Sequence, residues 1–394
     1  MAVFQTARKI IFGRGVLSEL GNEISHPGKT RVLVVSDPGV ARVGITGRLV
    51  TLLTDAGVQV EVFDRVEAEP RIEVAEECLS VARRFRSDLV VGIGGGSSLD
   101  VAKVAAGLFN SAGGVRDYLG VNLIRREGLP LIAIPTTAGT GSETTGIAIL
   151  TDAEAGVKQG VVSTSLFPHL AIVDPELTVS LPPAVTAYTG IDAFIHAVEA
   201  YLSVNASSIS DALALQAINL ISSSIRECYA DGSNISARGK MAEGSLLAGM
   251  AFANAGVGAV HAFSYPLGAR YHLAHGLSNA LMFIPVLSFN LAAVPDRMRQ
   301  IGQVMGLPLD GVTEKEAGEA TIKAIATLLS DLEIPGNLKE AGVREETLAA
   351  MASAVLEIKR LLNNNPRQIG YLDALAIYGE AFQLGYQKYT NIRW

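Results

Sequence analysis

Cysteine is almost missing from this chain of 394 residues: Cys78 and Cys228 are the only two, and they lie far apart. That excludes a disulfide framework and suits a reducing compartment, the cytoplasm. A surplus of basic charge is missing too. The formal net charge is −7 and no basic stripe runs along the chain, which argues against nucleic acid and anionic membrane as partners. The opening MAVFQTARKIIFGRG has neither an apolar core nor a small-residue cleavage site, so no signal peptide is read. Internal repeats and low-complexity segments are lacking as well.

One further absence needs weighing. Between Gly244 and Ala269 there is no Asp, Glu, Lys or Arg, a stretch long enough to span a bilayer. It also holds Asn254, His261, Tyr265, Pro266 and five glycines. A buried core helix running into a functional loop is therefore the expectation.

What is present points to well-packed cores. Hydrophobic residues make up 49% of the chain and charged residues 18%, a balance that rules out disorder. At roughly 100–200 residues per domain, the length calls for two domains or three. The first half alternates β-branched runs with helical patterns. RVLVVSD (31–37), VQVEVFD (58–64), DLVVGIGGGSS (88–98), PLIAIPTTAG (130–139) and HLAIVDP (169–175) read as strands, with RIEVAEECLSVARRF (71–85) among the helices between them. Alternation of this kind predicts an α/β domain with a parallel sheet. After Leu181-Pro182-Pro183 strand-like runs nearly vanish and helical spacing takes over. The expected division is an α/β domain over 1–180 and an all-helical domain over 181–394.

Gly94-Gly95-Gly96-Ser97 ends a predicted strand and opens a predicted helix. Glycines there let backbone N–H groups approach a pyrophosphate, and the helix N-terminus favours its charge. Ser97 departs from the usual G-x-G-x-x-G pattern, and a tight turn without a ligand would look the same. Asp37 closes the first buried strand. A carboxylate at that place can accept from ribose hydroxyls and repel a 2′-phosphate, favouring NAD over NADP; equally, it can cap the turn into Pro38-Gly39. The loop from Pro135 to Ser142 is rich in hydroxyls and glycine, as a phosphate-facing loop or an ordinary surface turn would be.

In the second half, Asp192 and His196 stand four apart in a predicted helix, on one face. His261 and His275 follow. On one straight helix they would lie about 21 Å apart, so the chain has to turn between them, and Pro266 or Gly268 is the expected place. Four of the six histidines fall in this region: His196, His261, His272 and His275. One Asp and three His make a plausible site for a divalent first-row metal with a position left for substrate. A lone histidine is otherwise an ordinary core or helix-end residue.

These segments resemble the iron-containing (group III) alcohol dehydrogenase family rather than the zinc-binding medium-chain type. The resemblance lies in Leu181-Pro182-Pro183, Thr186-Ala187, Thr189-Gly190-x-Asp192, His196-Ala197-x-Glu199-Ala200-Tyr201, and His261 through His275-Gly276 to Asn279-Ala280. It extends over nearly the whole chain, through Asp37, Pro70, the GGGS-x-x-D stretch ending at Asp100, the PTTAGTGSE loop, Lys158 and Asn365-Pro366-Arg367.

The resemblance implies an N-terminal domain holding NAD(P), a C-terminal helical domain holding the metal, and an active site in the cleft between them. It implies Asp192, His196, His261 and His275 as metal ligands. It implies Asp37, Gly95, Gly96, Ser97, Asp100, Thr136, Thr137, Ser142 and Lys158 on the nucleotide side. The expected cofactors are NAD and Fe²⁺, with Zn²⁺ open, and the expected assembly is a homodimer or larger homo-oligomer.

Two positions depart from the family pattern. Tyr265 stands where many members have a second histidine, and His272 where Asn is common. Both are carried forward as candidates for substrate positioning or proton relay. The expected reaction is hydride transfer between a small alcohol and NAD. The alternatives are a hydroxyacid–oxoacid transhydrogenase or 4-hydroxy-acid dehydrogenase, suggested by tyrosine before proline, and a glycerol dehydrogenase-like polyol enzyme using zinc. A lyase of the dehydroquinate synthase type would need clustered Lys and Arg, which are sparse over 185–280. A non-enzymatic binding protein would have lost a ligand, and none is lost.

Overall fold

The computed structural model describes residues 3–25, 30–154 and 157–390. The described residues group into two compact units: 5–181 together with 233–242, and 182–232 together with 3–4 and 243–390. The sequence suggested one break near 181. The structure instead adds the start of the helix Ile235–Ala255 to the first unit.

Among the described residues, nine strands lie in the first unit: β1 Lys9–Phe12, β2 Arg31–Val35, β3 Gln59–Phe63, β4 Leu89–Gly94, β5 Gly120–Val121, β6 Leu131–Pro135, β7 Ile147–Asp152, β8 Val157–Val162 and β9 Leu170–Val173. Six form a sheet in the order β1-β9-β6-β4-β2-β3, with every pairing parallel. The central strands β4, β6 and β9 are buried along their whole length, as strands covered on both faces must be. Successive side chains of β2 leave on opposite faces. Leu33 and Val35 join one core, with Cys78 and Leu79 of the helix Ile72–Phe85 and Val101 and Val104 of the helix Gly96–Gly107. Val32 and Val34 join the other, with Leu49 and Leu53 of the helix Ile45–Asp55. Each such residue taken fully from water contributes about 1.5–3 kcal/mol.

Strand order decides where a ligand can lie. From β2 the chain passes outward to β3, then returns to β4 on the other side of β2. The loops leaving β2 and β4 therefore diverge. Open α/β sheets take their ligands in such a crevice, outside the carboxyl ends of the strands. Asp37 follows β2, and Gly95 to Ser97 follow β4.

Two features were not read from the sequence. Edge strand β1 is only half buried and carries no clear alternation. A second sheet, β5-β8-β7, contains an antiparallel hairpin that pairs Ile147 with Val162 and Asp152 with Val157.

The second unit holds no strand among its described residues. Its first helix, Pro183–Leu202, has proline in the opening turn, where a missing N–H does no harm. The helix Glu314–Asp331 begins with Thr313 and Glu316 in a reciprocal capping box. The charge-free stretch is not one straight span. The helices Ile235–Ala255 and Ala259–Tyr271 are bent by 102° at a short break. The helix that continues from His275 to Ala293 is long and apolar enough for a bilayer, yet 61% of it is buried inside the fold. Cys78 and Cys228 are both buried, and neither is in a disulfide.

Candidate metal and nucleotide sites

The four expected ligands come together in the helical unit. One ligand atom each from Asp192, His196, His261 and His275 lies within 4.8 Å of the others. Three helices supply them: Pro183–Leu202, Ala259–Tyr271 and His275–Asn290. Asp192, His196 and His261 are buried, while the His275 side chain is 30% exposed and forms the open side. Asp192 Oδ1 stands 3.8 Å from both His261 Nε2 and His275 Nε2. His196 Nε2 stands 2.9 Å from His261 Nε2. Phe252 stacks on the outer face of the His196 ring at 4.4 Å.

The turn that returns the chain is not where proline suggested it. Pro266 sits inside a continuous helix, which ends at His272 in the left-handed conformation, with φ +54°. His275 then opens the next helix. The close approach that follows depends on Gly276, where a Cβ would meet the Tyr188 carbonyl oxygen at 2.2 Å and Asp192 Cβ at 3.4 Å.

Two residues hold the ligands, although the sequence reading gave them no role. Glu199 Oε2 lies 2.5 Å from His261 Nδ1. A carboxylate can only accept, so Nδ1 carries the proton and Nε2 of the neutral ring turns its lone pair inward. Glu199 Oε1 accepts from the Val260 N–H at 2.6 Å, placing negative charge at a helix N-terminus, where it is favoured. Asn279 donates to Asp192 Oδ1 at 2.7 Å. The signal for Glu199 was available, since 192, 196 and 199 share one helix face. Asn279 needed the fold. Burial works to raise the Asp192 pKa, but the neighbouring His196, His275 and His261, with the Asn279 amide, outweigh it and hold the carboxyl below its usual value.

This donor set fits a divalent first-row ion. One carboxylate oxygen and three imidazole nitrogens suit iron and zinc. His196 and His261 turn their Nε2 atoms towards each other at 2.9 Å, as two ligands of one ion would.

Tyr265 lies on the same continuous helix as His261, and its ring centre is 6.5 Å from that of His275. It stands beside the open ligand. His272 is exposed at the helix end and is not among the converging groups. Its left-handed backbone explains why Asn is common at this position, since Asn tolerates that conformation well.

In the α/β unit, Asp37 Oδ1 accepts from the N–H groups of Gly39 and Val40 at 2.9 and 3.0 Å, and Oδ2 accepts from Ser98 Oγ at 3.1 Å. The capping role is therefore present, and it leaves the carboxylate at the mouth of the crevice. Gly94, at φ +152°, passes so close that a Cβ would meet Ser98 Oγ at 2.5 Å and Asp37 Oδ2 at 2.9 Å. Gly95 caps the following helix, and Gly95, Gly96 and Ser97 are partly exposed at its N-terminus. The Thr136 N–H donates to the Gly94 carbonyl at 2.9 Å, which brings Thr136 and Thr137 alongside.

Asp100, also expected on the nucleotide side, has two partners within the unit. Its Oδ1 takes the Ser142 hydroxyl at 2.6 Å and its Oδ2 the Ile149 N–H at 2.8 Å. Asp100 and Ser142 thus engage each other. Lys158, on β8, is 7% exposed and paired with Glu69.

A glycine-turn crevice and a three-histidine, one-carboxylate centre with one open side define a nucleotide- and metal-using oxidoreductase. Residues 7–175 match the family model described as iron-containing alcohol dehydrogenase, and 186–382 match its C-terminal counterpart. A long-chain-alcohol dehydrogenase of Geobacillus thermodenitrificans is 43% identical over 94% of each chain. A solved 1,3-propanediol oxidoreductase superposes with TM-score 0.94 at 37% identity, covering 97% of this chain and 100% of that one. A sulfoacetaldehyde reductase from Bifidobacterium kashiwanohense, solved in complex with NAD⁺, superposes with TM-score 0.89 at 30% identity, covering 97% and 99%. The chain belongs to the iron-containing alcohol dehydrogenase family. Enzymes of this family are alcohol oxidoreductases that use NAD and a metal.

Proposed function

We propose that this chain catalyses reversible hydride transfer between a small primary or secondary alcohol and NAD. In this reading the helical unit holds a divalent ion and the α/β unit holds the dinucleotide at the carboxyl ends of β2 and β4. The observation that carries it is the convergence of Asp192, His196, His261 and His275. Fe²⁺ is the proposed ion, with Zn²⁺ as the alternative.

When bound, the ion supplies Lewis acidity to the substrate oxygen, and NAD supplies the hydride acceptor. The side chains do the rest. Glu199 keeps the His261 proton on Nδ1, so Nε2 stays a donor atom. Asn279 orients the Asp192 carboxylate. Tyr265 walls the open side and offers a hydroxyl to the substrate oxygen or to a water. At an ordinary pKa near 10 a phenol donates better than it abstracts at neutral pH. The Asp37 carboxylate accepts ribose hydroxyls and repels a 2′-phosphate. Gly95, Gly96 and Ser97 present N–H groups to the pyrophosphate, while Thr136, Thr137 and Lys158 contact the cofactor from the neighbouring loop and hairpin. Residues 1–180 and 181–394 are the proposed functional domains, and a soluble cytoplasmic homodimer or larger homo-oligomer the proposed state.

The relatives' names range over long-chain alcohols, 1,3-propanediol and sulfoacetaldehyde, so substrate is the property to measure. The test is steady-state kinetics with a panel of C2–C6 alcohols, diols and hydroxy acids, with NAD and NADP, before and after chelation. The expected result is turnover of alcohols with NAD, lost on chelation and restored by Fe²⁺ or Zn²⁺. Full turnover by metal-free protein would overturn the reading, and preference for hydroxy acids would replace the substrate class.

A further inference from the structure

A loop of the helical unit, from Asn363 to Arg367, has no part in the scheme above. It lies between the helices Lys359–Leu362 and Tyr371–Gln383 and carries no metal ligand. It nevertheless reaches all three helices that do. Just past the end of Pro183–Leu202, the Val204 N–H donates to the Asn364 carbonyl oxygen at 3.0 Å, and the Asn205 amide donates to Asn364 Oδ1 at 2.9 Å. In the break before Ala259–Tyr271, the Asn364 amide donates to the Val257 carbonyl oxygen at 2.8 Å. At the end of His275–Asn290, Asn290 and Asn365, both buried, exchange two amide hydrogen bonds at 2.8 and 2.9 Å. Arg367 donates to the Phe289 carbonyl oxygen at 2.8 Å, and its guanidinium lies 3.8 Å over the Phe289 ring.

We infer that Asn364 and Asn365 are positioning residues for the metal centre. They set the break 256–258, and with it the start of the helix bearing His261, against the helix bearing Asp192, His196 and Glu199. This placement rests on the metal reading above. Two glycines let the loop come close. Gly256 has φ +79°, and a Cβ there would meet Asn364 Nδ2 at 2.4 Å. Gly258 passes between Glu199 and Asn365, where a Cβ would meet Glu199 Oε1 at 3.3 Å and Asn365 Oδ1 at 3.5 Å. His261 is the third residue of the helix that follows, so a shift of the break moves it directly. The hold of Glu199 on the Val260 N–H and on His261 Nδ1 depends on the same placement. The loop also walls a small cavity beside Glu199 and Val260.

A loop that only filled space would not call for amides. A buried amide is costly unless it is paired. Asn290 and Asn365 satisfy a donor and an acceptor on each side, and a slip of the loop by one residue would break both bonds at once. What the amides provide that apolar side chains do not is direction: one register of the loop against the helix ends, and no other.

The test uses the full chain, freed of metal by chelation, with the variants Asn365→Leu and Asn364→Ala and, as a control in the same loop, the exposed Asn363→Ala. Each is titrated with Co²⁺ well below its Tm. The dissociation constant and the visible absorption bands of the bound ion are recorded, and NAD binding to the metal-free protein is measured by calorimetry. Co²⁺ binding should weaken about tenfold in Asn365→Leu and about threefold in Asn364→Ala, at or below the low end of the range for groups bonded directly to a ligand. The absorption bands should shift, NAD affinity should stay within about twofold, and Asn363→Ala should match the wild type. If Asn365→Leu fails to fold, Asn364→Ala decides alone. A loop that merely stabilises the fold would lower Tm and leave Co²⁺ affinity and spectrum as they were, and that outcome would overturn the inference. Wild-type protein that binds no Co²⁺ would instead bring down the metal reading, and the inference with it.

Discussion

The two units build their sites from different parts of the chain. In the α/β unit, the crevice is made mostly of backbone: glycines, N–H groups at a helix start and short hydroxyl side chains, all at the carboxyl ends of neighbouring strands. In the helical unit, the centre is made of side chains alone, drawn from three helices between Asp192 and His275 and held by Glu199 and Asn279. A backbone site is local, so its motif is contiguous and a neighbouring residue can absorb part of a change. A side-chain site depends on helix packing over a long stretch of sequence, and each member is essential. The metal side should therefore fail abruptly on mutation and the nucleotide side gradually.

The largest expected effect breaks the metal side alone. His261→Ala should lose bound metal and at least about a thousandfold in kcat, while NAD affinity stays within about twofold. Elemental analysis and calorimetry check both parts, and loss of NAD binding would show that the sites are not separable. Next, Glu199→Gln keeps the shape but removes the acceptor that fixes the His261 tautomer. Metal affinity should fall about 10–100-fold, the usual range for partners of metal-bound histidines, read by competition with a chromogenic chelator.

On the nucleotide side, Asp37→Asn retains the helix cap but removes the charge. The ratio of kcat/KM for NAD over NADP should fall about tenfold; an unchanged ratio would leave Asp37 a cap and nothing more. Tyr265→Phe should reduce kcat by about tenfold or less, which is about 1.4 kcal/mol of barrier. Identical kinetics would leave the ring a wall without a working hydroxyl.

The smallest effect concerns stability and pH. Burial raises the Glu143 carboxyl to about 7 from its ordinary 4.5. The folded chain therefore binds more protons than the unfolded chain between those values, and this group makes stability fall as pH rises through that window. Lys103, lowered from 10.5 to about 8, acts oppositely: its folded form binds fewer protons, so it makes stability rise from pH 8 towards 10.5. Glu143→Gln should flatten the decline between pH 4.5 and 7 in denaturation curves and leave the alkaline limb in place. An unaltered slope would mean that Glu143 ionises normally.

Much of this was legible in the sequence because short-range chemistry is written in short segments. β-branched runs 31–35 and 89–94, the glycine turn at 94–96, and Asp192 with His196 on one helix face follow from two periodicities and from glycine's missing side chain. The family likeness then joined the distant pieces. Other features were not legible. Pro266 reads as a break but lies within a helix, and the turn falls instead at His272. His272 reads as a titratable group but ends a helix in the open. Asp100, expected on the nucleotide side, takes the Ser142 hydroxyl and the Ile149 N–H, contacts between elements that no motif spells out.

By itself the sequence determined the class of fold, the glycine turn and the pairing of Asp192 with His196 on one helix face, since those depend on spacing within an element; His261 and His275 joined them through the family resemblance. Only the tertiary structure decided which groups stand behind them. Glu199 against His261, Asn279 against Asp192, Gly276 against Tyr188 and Asn365 against Asn290 are all contacts between elements. No periodicity within a helix or strand encodes which neighbour its outer face will meet; packing settles that when the apolar faces close on one another.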